Sequence, residues 1–196
     1  MGRGSARWIV RLTAATLCGG VALALTGCAA GGGDKPKPKP SAAVPNGFVR
    51  VQAGNVSLAV PAKWKQAQTP QGWSEQRALT TARGVTYAQA GVITDVPQTG
   101  DVDAVSTAAW AGTLLNAQGL RRGKDQHVTV PGADKAIRVD YTYNEVQSES
   151  PLPARGIDLS VVYGGKKAFT LRISGLQDNL SAAVADQIAK SLSVNG

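Results

Sequence analysis

The sequence predicts an α+β domain, an antiparallel β-sheet flanked by helices, in the order strands, helix, strands, helix. Three observations carry this. Apolar residues alternate with polar ones at 137–143, 157–163 and 169–173, the period of a strand. Gly164-Gly165 is a two-residue hairpin link between the last two of these segments. Behind them Leu180, Val184, Ile188 and Leu192 recur every four residues, the stripe of an amphipathic helix.

The domain is expected to begin at residue 47. Val49, Val51 and Ala53 alternate, Gly54-Asn55 turns the chain, and Val56, Leu58 and Val60 alternate again until Pro61 stops the strand. Residues 73–81 and 84–96 read as two further strands, and the second shifts its apolar parity around Gly91, where a bulge is expected. Asp101 or Asp103 can cap a helix running to about Gln118, with Gly119 placed to end it. The three alternating segments then form a meander with one apolar face and one face bearing charges of both signs. A long loop, 144–156, joins its first two strands, and a helix from Asp178 to about Leu192 covers the apolar face.

Ahead of the domain, residues 1–11 carry Arg3, Arg7 and Arg11 and no acid, as an export n-region does. Residues 12–25 are an apolar run of fourteen residues. A membrane-spanning helix needs about twenty, so this has the length of a signal-peptide h-region. Leu25-Thr26-Gly27-Cys28 follows, and it resembles the lipobox of bacterial lipoproteins. That resemblance implies a diacylglycerol thioether on Cys28 and cleavage between Gly27 and Cys28, giving a signal peptide at 1–27. More than one acyl chain, palmitate among them, gives stable anchoring to the outer face of the cytoplasmic membrane. Residues 28–46 then form a tether, flexible at Gly31–Gly33 and extended through the Lys-Pro repeats of Lys35–Pro40.

The +8 formal charge shrinks when divided. Removing the three leader arginines leaves +5, and the tether, with three lysines against Asp34, holds +2 of that. The domain at 47–196 is left near +3 with both signs spread along it, which does not suit nucleic acid. The two cysteines are Cys18 and Cys28, so the mature domain has no thiol for an internal disulfide, and a monomer stabilised by packing is expected.

The run of elements resembles the PsbP-like superfamily, named for an extrinsic protein of photosystem II and including the mycobacterial LpqN and LpqT lipoproteins. The matching features are an opening hairpin leading into Val60-Pro61-Ala62-Lys63-Trp64, a mid-chain helix, the meander, and a closing helix ending at residues 188–194. The resemblance spans about residues 47–194 and rests on pattern and order. It implies an antiparallel sheet flanked by helices and a binding or assembly role without catalysis, and it brings no catalytic residues. Nothing here matches metal or photosystem contacts.

Catalytic chemistry has little support. His127 is the single histidine, so a two-histidine metal box cannot form. No Gly-x-Ser-x-Gly elbow, P-loop or dinucleotide glycine pattern occurs, and no cofactor is implied. Asp101 and Asp103 read as helix caps and not as an acid/base pair. Trp64, Trp73 and Trp110 read first as core, yet Trp64 and Trp73 flank the polar KQAQTPQG and are candidate rims of one groove. Arg121, Arg122 and Lys124 cluster after the first helix, either as solvated charge at its C-terminus or as an anion or partner site.

The sequence therefore favours a non-enzymatic binding or scaffold module engaging a protein or envelope partner. The alternatives are a carrier enclosing a lipid or small hydrophobe in an apolar cavity and, third, a wall hydrolase. Cys28→Ala is expected to abolish palmitate labelling in cells and to release or mislocalise the protein; undiminished labelling would contradict the anchor.

Overall fold

The computed structural model describes residues 42–81, 84–115, 117–145 and 151–195. The leader, Cys28 and most of the tether lie outside them, as does the centre of the expected loop, 146–150. The domain is α+β, with antiparallel sheets and two helices.

The opening hairpin forms as expected: β1 (Phe48–Ala53) pairs with β2 (Val56–Pro61) across Gly54, whose φ of +58° suits a glycine in the turn. The other edge of β2 takes a short strand at the C-terminus, here β10 (Ser193–Val194), which completes a three-stranded sheet. That strand is a correction. The closing helix, α2 (Ala182–Lys190), is shorter than 178–192, with Ser181 capping its start and Ser191 its end. Ser191 accepts a hydrogen bond from the Ala59 amide at 2.7 Å, tying the helix end to β2.

The larger sheet has seven strands: β3 (Lys65–Gln66), β4 (Trp73–Thr80), β5 (Thr86–Ile93), β6 (Gln118–His127), β7 (Lys135–Glu145), β8 (Leu152–Tyr163) and β9 (Lys167–Leu176). Their spatial order is β3-β4-β5-β9-β8-β7-β6. Gly164 and Gly165 turn β8 into β9 at φ of +55° and +83°.

Four expectations need correcting. First, α1 (Val102–Leu114) stops before Gln118, and Gly119 is the second residue of strand β6. Asp101 does cap the helix, accepting from the Asp103 amide at 2.9 Å. Secondly, Asn144, Glu145 and residues 152–156 belong to β7 and β8, so both ends of the expected loop are strand. Thirdly, Gly91 is regularly paired with Gln76; the β4–β5 register slips at Trp73/Glu75 and at Leu79/Thr80. The parity change has another cause, for a Cβ on Gly91 would lie 2.3 Å from the Trp73 ring.

Fourthly, the meander does not have one apolar face. Register sets Val139 opposite Asp158 and Arg138 opposite Leu159, so the apolar side of β7 faces away from that of β8. Both faces of the sheet are therefore covered. Leu159, Leu171, Ile173 and Val92 pack with α2 and the small sheet, while Ile137, Val139, Val162 and Ala168 pack under Val102 and Val105 of α1.

In α2, Ile188 is fully buried, whereas Val184 is only partly so. Ile188→Asp is expected to prevent folding, since an unpaired buried carboxylate costs several kcal/mol, comparable to the whole stability of such a domain. Val184→Asp should cost less. Circular dichroism and thermal melts check the ranking; equal melting of the two variants would contradict it.

Candidate binding cleft

On the face of the large sheet that carries α1, the helix covers only part of the surface. What stops it there is a buried polar cluster. Asp158 on β8 is 3% exposed and lies beneath the last turn of α1. Arg172, directly opposite Asp158 on β9, donates from Nε to Asp158 Oδ1 at 2.8 Å and from Nη2 to Oδ2 at 2.7 Å, a bidentate pair. The same Nη2 donates to the Ala109 carbonyl at 2.8 Å and to Thr113 Oγ1 at 2.5 Å. The Thr113 hydroxyl in turn donates to Asp158 Oδ2, and Tyr141 Oη donates to Oδ1 at 3.4 Å. Helix and strands β7, β8 and β9 thus share one ion pair.

The pair shapes the protonation of its neighbours. Burial works to lower the Arg172 pKa, but the hydrogen bond and charge of Asp158 outweigh it and raise the guanidinium above its ordinary value. Burial first, then the Asp158 charge, pushes the Tyr141 phenol well above 10.0. Burial and Glu145 raise Tyr143 as well. Both phenols are therefore neutral at physiological pH and available as hydrogen-bond donors.

Beyond Thr113 the sheet face lies open as a cleft of about 260 Å³, walled by Trp73, Tyr141, Tyr143, Gln89, Arg172 and Ser174. It continues into a second hollow of about 220 Å³ that shares Gln89, Tyr143, Glu145 and Ser174 with it. Two glycines seat its rings: Trp73 lies over Gly91, and Tyr141 lies over Gly156, where an added Cβ would meet ring atoms at 2.2 Å. Tyr141 stands 6.0 Å from Tyr143 and meets Trp110 edge-on at 5.9 Å. Along the cleft, Gln76 donates to Gln89 at 2.6 Å and Gln89 to Ser174 at 3.2 Å. Leu114 and Leu115, 54% and 85% exposed, lie in the chain between the lining residues Thr113 and Ala117.

The residues singled out from sequence do not assemble into one patch. Trp64 is 3% exposed in the main core and is no groove rim. Trp73 does line the cleft. Arg121, Arg122 and Lys124 sit on edge strand β6, not in a loop, and the first two diverge. Arg122 pairs with Asp125 at 2.5 Å and lies 5.2 Å from the centre of the Trp110 ring, a cation–π contact. Arg121 turns to the other face, and Lys124 is exposed beside a register shift. His127 is exposed at the end of β6, opposite Ile137. Cys28 lies outside the described residues. Tyr141, Tyr143, Arg172 and Asp158 were missed as site residues, although Tyr141 and Tyr143 are two positions apart on a strand and so share a face.

Among the described residues no group of three or more histidine, cysteine, aspartate and glutamate side chains could hold a metal, and no helix is long and apolar enough to cross a membrane.

Neither a family model nor a curated protein matches the chain. Among solved structures, the fold is similar to that of LpqN of Mycobacterium tuberculosis, described as involved in cell envelope biogenesis. The TM-score is 0.51 at 16% sequence identity, over 76% of this chain and 91% of LpqN. The fold is LpqN-like.

Cutting either half of the buried pair should be severe. Asp158→Ala and Arg172→Met are each expected to cost about 3–5 kcal/mol, because each leaves one charge buried and uncompensated. Replacing both, Asp158→Leu with Arg172→Met, should recover much of the loss. Denaturant unfolding measures all three; additive losses in the double variant would contradict the coupling.

Proposed function

We propose that the chain is an extracytoplasmic lipoprotein, held on the outer face of the cytoplasmic membrane through lipid on Cys28, and that its domain is a non-enzymatic binding module for a protein or other envelope partner. The single observation that carries the binding reading is the open cleft beyond α1. Half-buried Trp73 and Tyr143 flank a row of amide and hydroxyl groups there, and two leucines stand exposed beside it in the chain. Aromatic rings with a polar handle supply contact area at little conformational cost, the composition of binding hot spots.

The address rests on other supports: the lipobox, the apolar run too short to span a bilayer, and the likeness in fold to a protein of envelope biogenesis. The PsbP-like assignment rests on the order of elements together with that likeness. Against catalysis stand the exposed position of His127 at the end of an edge strand and the use of Asp158 as the partner of Arg172.

Trp73→Ala with Tyr143→Ala should abolish complementation of a strain lacking the native copy while the domain melts near the native temperature. His127→Ala should complement fully. Failure of the His127 variant with a normal fold, alongside success of the cleft variant, would overturn the binding-module reading and call for an enzyme assay.

A further inference from the structure

The opposite face of the large sheet carries a second site. Register places Arg121 of β6, Thr142 of β7 and Arg155 of β8 in one row across three strands, on the side where α2 packs. The two arginines stand one strand to either side of Thr142, roughly 10 Å apart at their Cα atoms given ordinary strand spacing. Two cations so placed repel one another unless something negative lies between them.

No described residue fills that role. Among the described residues no carboxylate forms an ion pair with Arg121 or Arg155. The nearby carboxylates are engaged: Asp140 binds Arg138 at 2.9 Å, and Asp186 of α2 is shared by Arg138 and Lys190, each at 2.7 Å. The hydrogen bonds from Lys190 and then Arg138 hold the Asp186 pKa below its ordinary value, so this carboxylate stays ionised and bound. Arg155 Nε is buried with no hydrogen-bond partner. A buried donor left unmade costs free energy, and the residue that bears it lines the groove beside α2.

The space is present. Arg121, Arg138 and Arg155 line a groove of about 360 Å³ whose remaining wall includes Ile157, Ala182 and Ala185. Ala182 and Ala185 belong to the first turn of α2, where no acidic side chain stands, so the positive end of the helix dipole adds to the field. Asp140 also lines the groove, and its pairing with Arg138 leaves the excess positive. An inorganic anion would use the guanidiniums and leave the apolar wall wet. A ligand with an anionic head and an apolar body would use both.

We infer that this groove binds an amphiphile with a net-anionic phosphate monoester head, its phosphate held between Arg121 and Arg155 and its apolar part laid along Ile157, Ala182 and Ala185. Guanidiniums suit this head because they bind phosphate oxygens two at a time. The site is independent of the aromatic cleft and stands or falls without it.

The test is calorimetric titration of the full chain, extracted in an uncharged detergent, with dihexanoyl phosphatidic acid. Dihexanoyl phosphatidylcholine and inorganic phosphate are the comparison probes. Saturable binding of the phosphatidic acid is expected, at least tenfold tighter than either comparison. Arg121→Glu should weaken it tenfold or more, while Lys124→Glu, the same charge change on the same strand outside the groove, should not. Arg155→Gln should weaken it too; if that variant misfolds, the exposed Arg121 decides. Equal affinity for inorganic phosphate would overturn the amphiphile, equal affinity for the choline lipid would overturn the anion site, and equal loss in Lys124→Glu would reduce the effect to net charge. Absence of saturable binding would remove the site altogether.

Discussion

A carboxylate buried in the middle of a seven-stranded sheet has to be neutralised, and Asp158 is neutralised by Arg172 alone among the cations described. The pair is the constraint on which the rest of this face depends. Arg172 also reaches the Ala109 carbonyl and the Thr113 hydroxyl, so the C-terminal half of α1 can lie in one place only. Apolar contacts alone would not set that position. Val102 and Val105 pack at the helix's beginning, and slippage along small alanine side chains farther on would cost little. Fixing the helix end is what leaves the cleft beyond it open. A buried pair of this kind need not raise stability over an apolar substitute; its contribution is to select one arrangement.

The cleft uses backbone economy in the same way. Trp73 and Tyr141 can lie against the sheet because Gly91 and Gly156 present no side chain beneath them. Each glycine weakens its strand locally, and each ring restores the lost packing. The rings are thus held by the sheet and not by flexible neighbours, which reduces what a partner must immobilise on binding.

Much of the element order was legible in residues 137–192, where apolar residues recur at the strand period along β7, β8 and β9 and at the helix period around α2. What failed did so for physical reasons. Strand β6 carries Arg121, Arg122, Lys124 and Asp125 and is exposed along nearly its whole length, as befits an edge strand guarded by charge and bulges, so it lacks any apolar period. β10 is two residues long and exists through pairing with β2, a contact between the ends of the domain. The meander's split faces depend on inter-strand register, which a pattern read strand by strand does not contain. The site was legible only in part: Trp73 was among the candidates, but Asp158 and Arg172 read as solvent-facing members of alternating strands, and only a covering helix makes them a buried pair. Trp64 failed for the opposite reason, being an aromatic beside polar residues whose own side chain packs inward.

The domain carries an aromatic cleft on one face of the large sheet and a basic groove on the other, two separate surfaces. The central claim is that the cleft is the surface a partner meets. The most direct measurement is photocrosslinking in intact cells from a light-activated residue placed at position 143 in the cleft, against the same residue at position 49, which is exposed on β1 of the small sheet. One discrete envelope adduct from position 143, absent from position 49 and lost when Trp73 becomes alanine, is the expected result. The same adducts from both positions, or none from 143 while the protein remains functional, would contradict it.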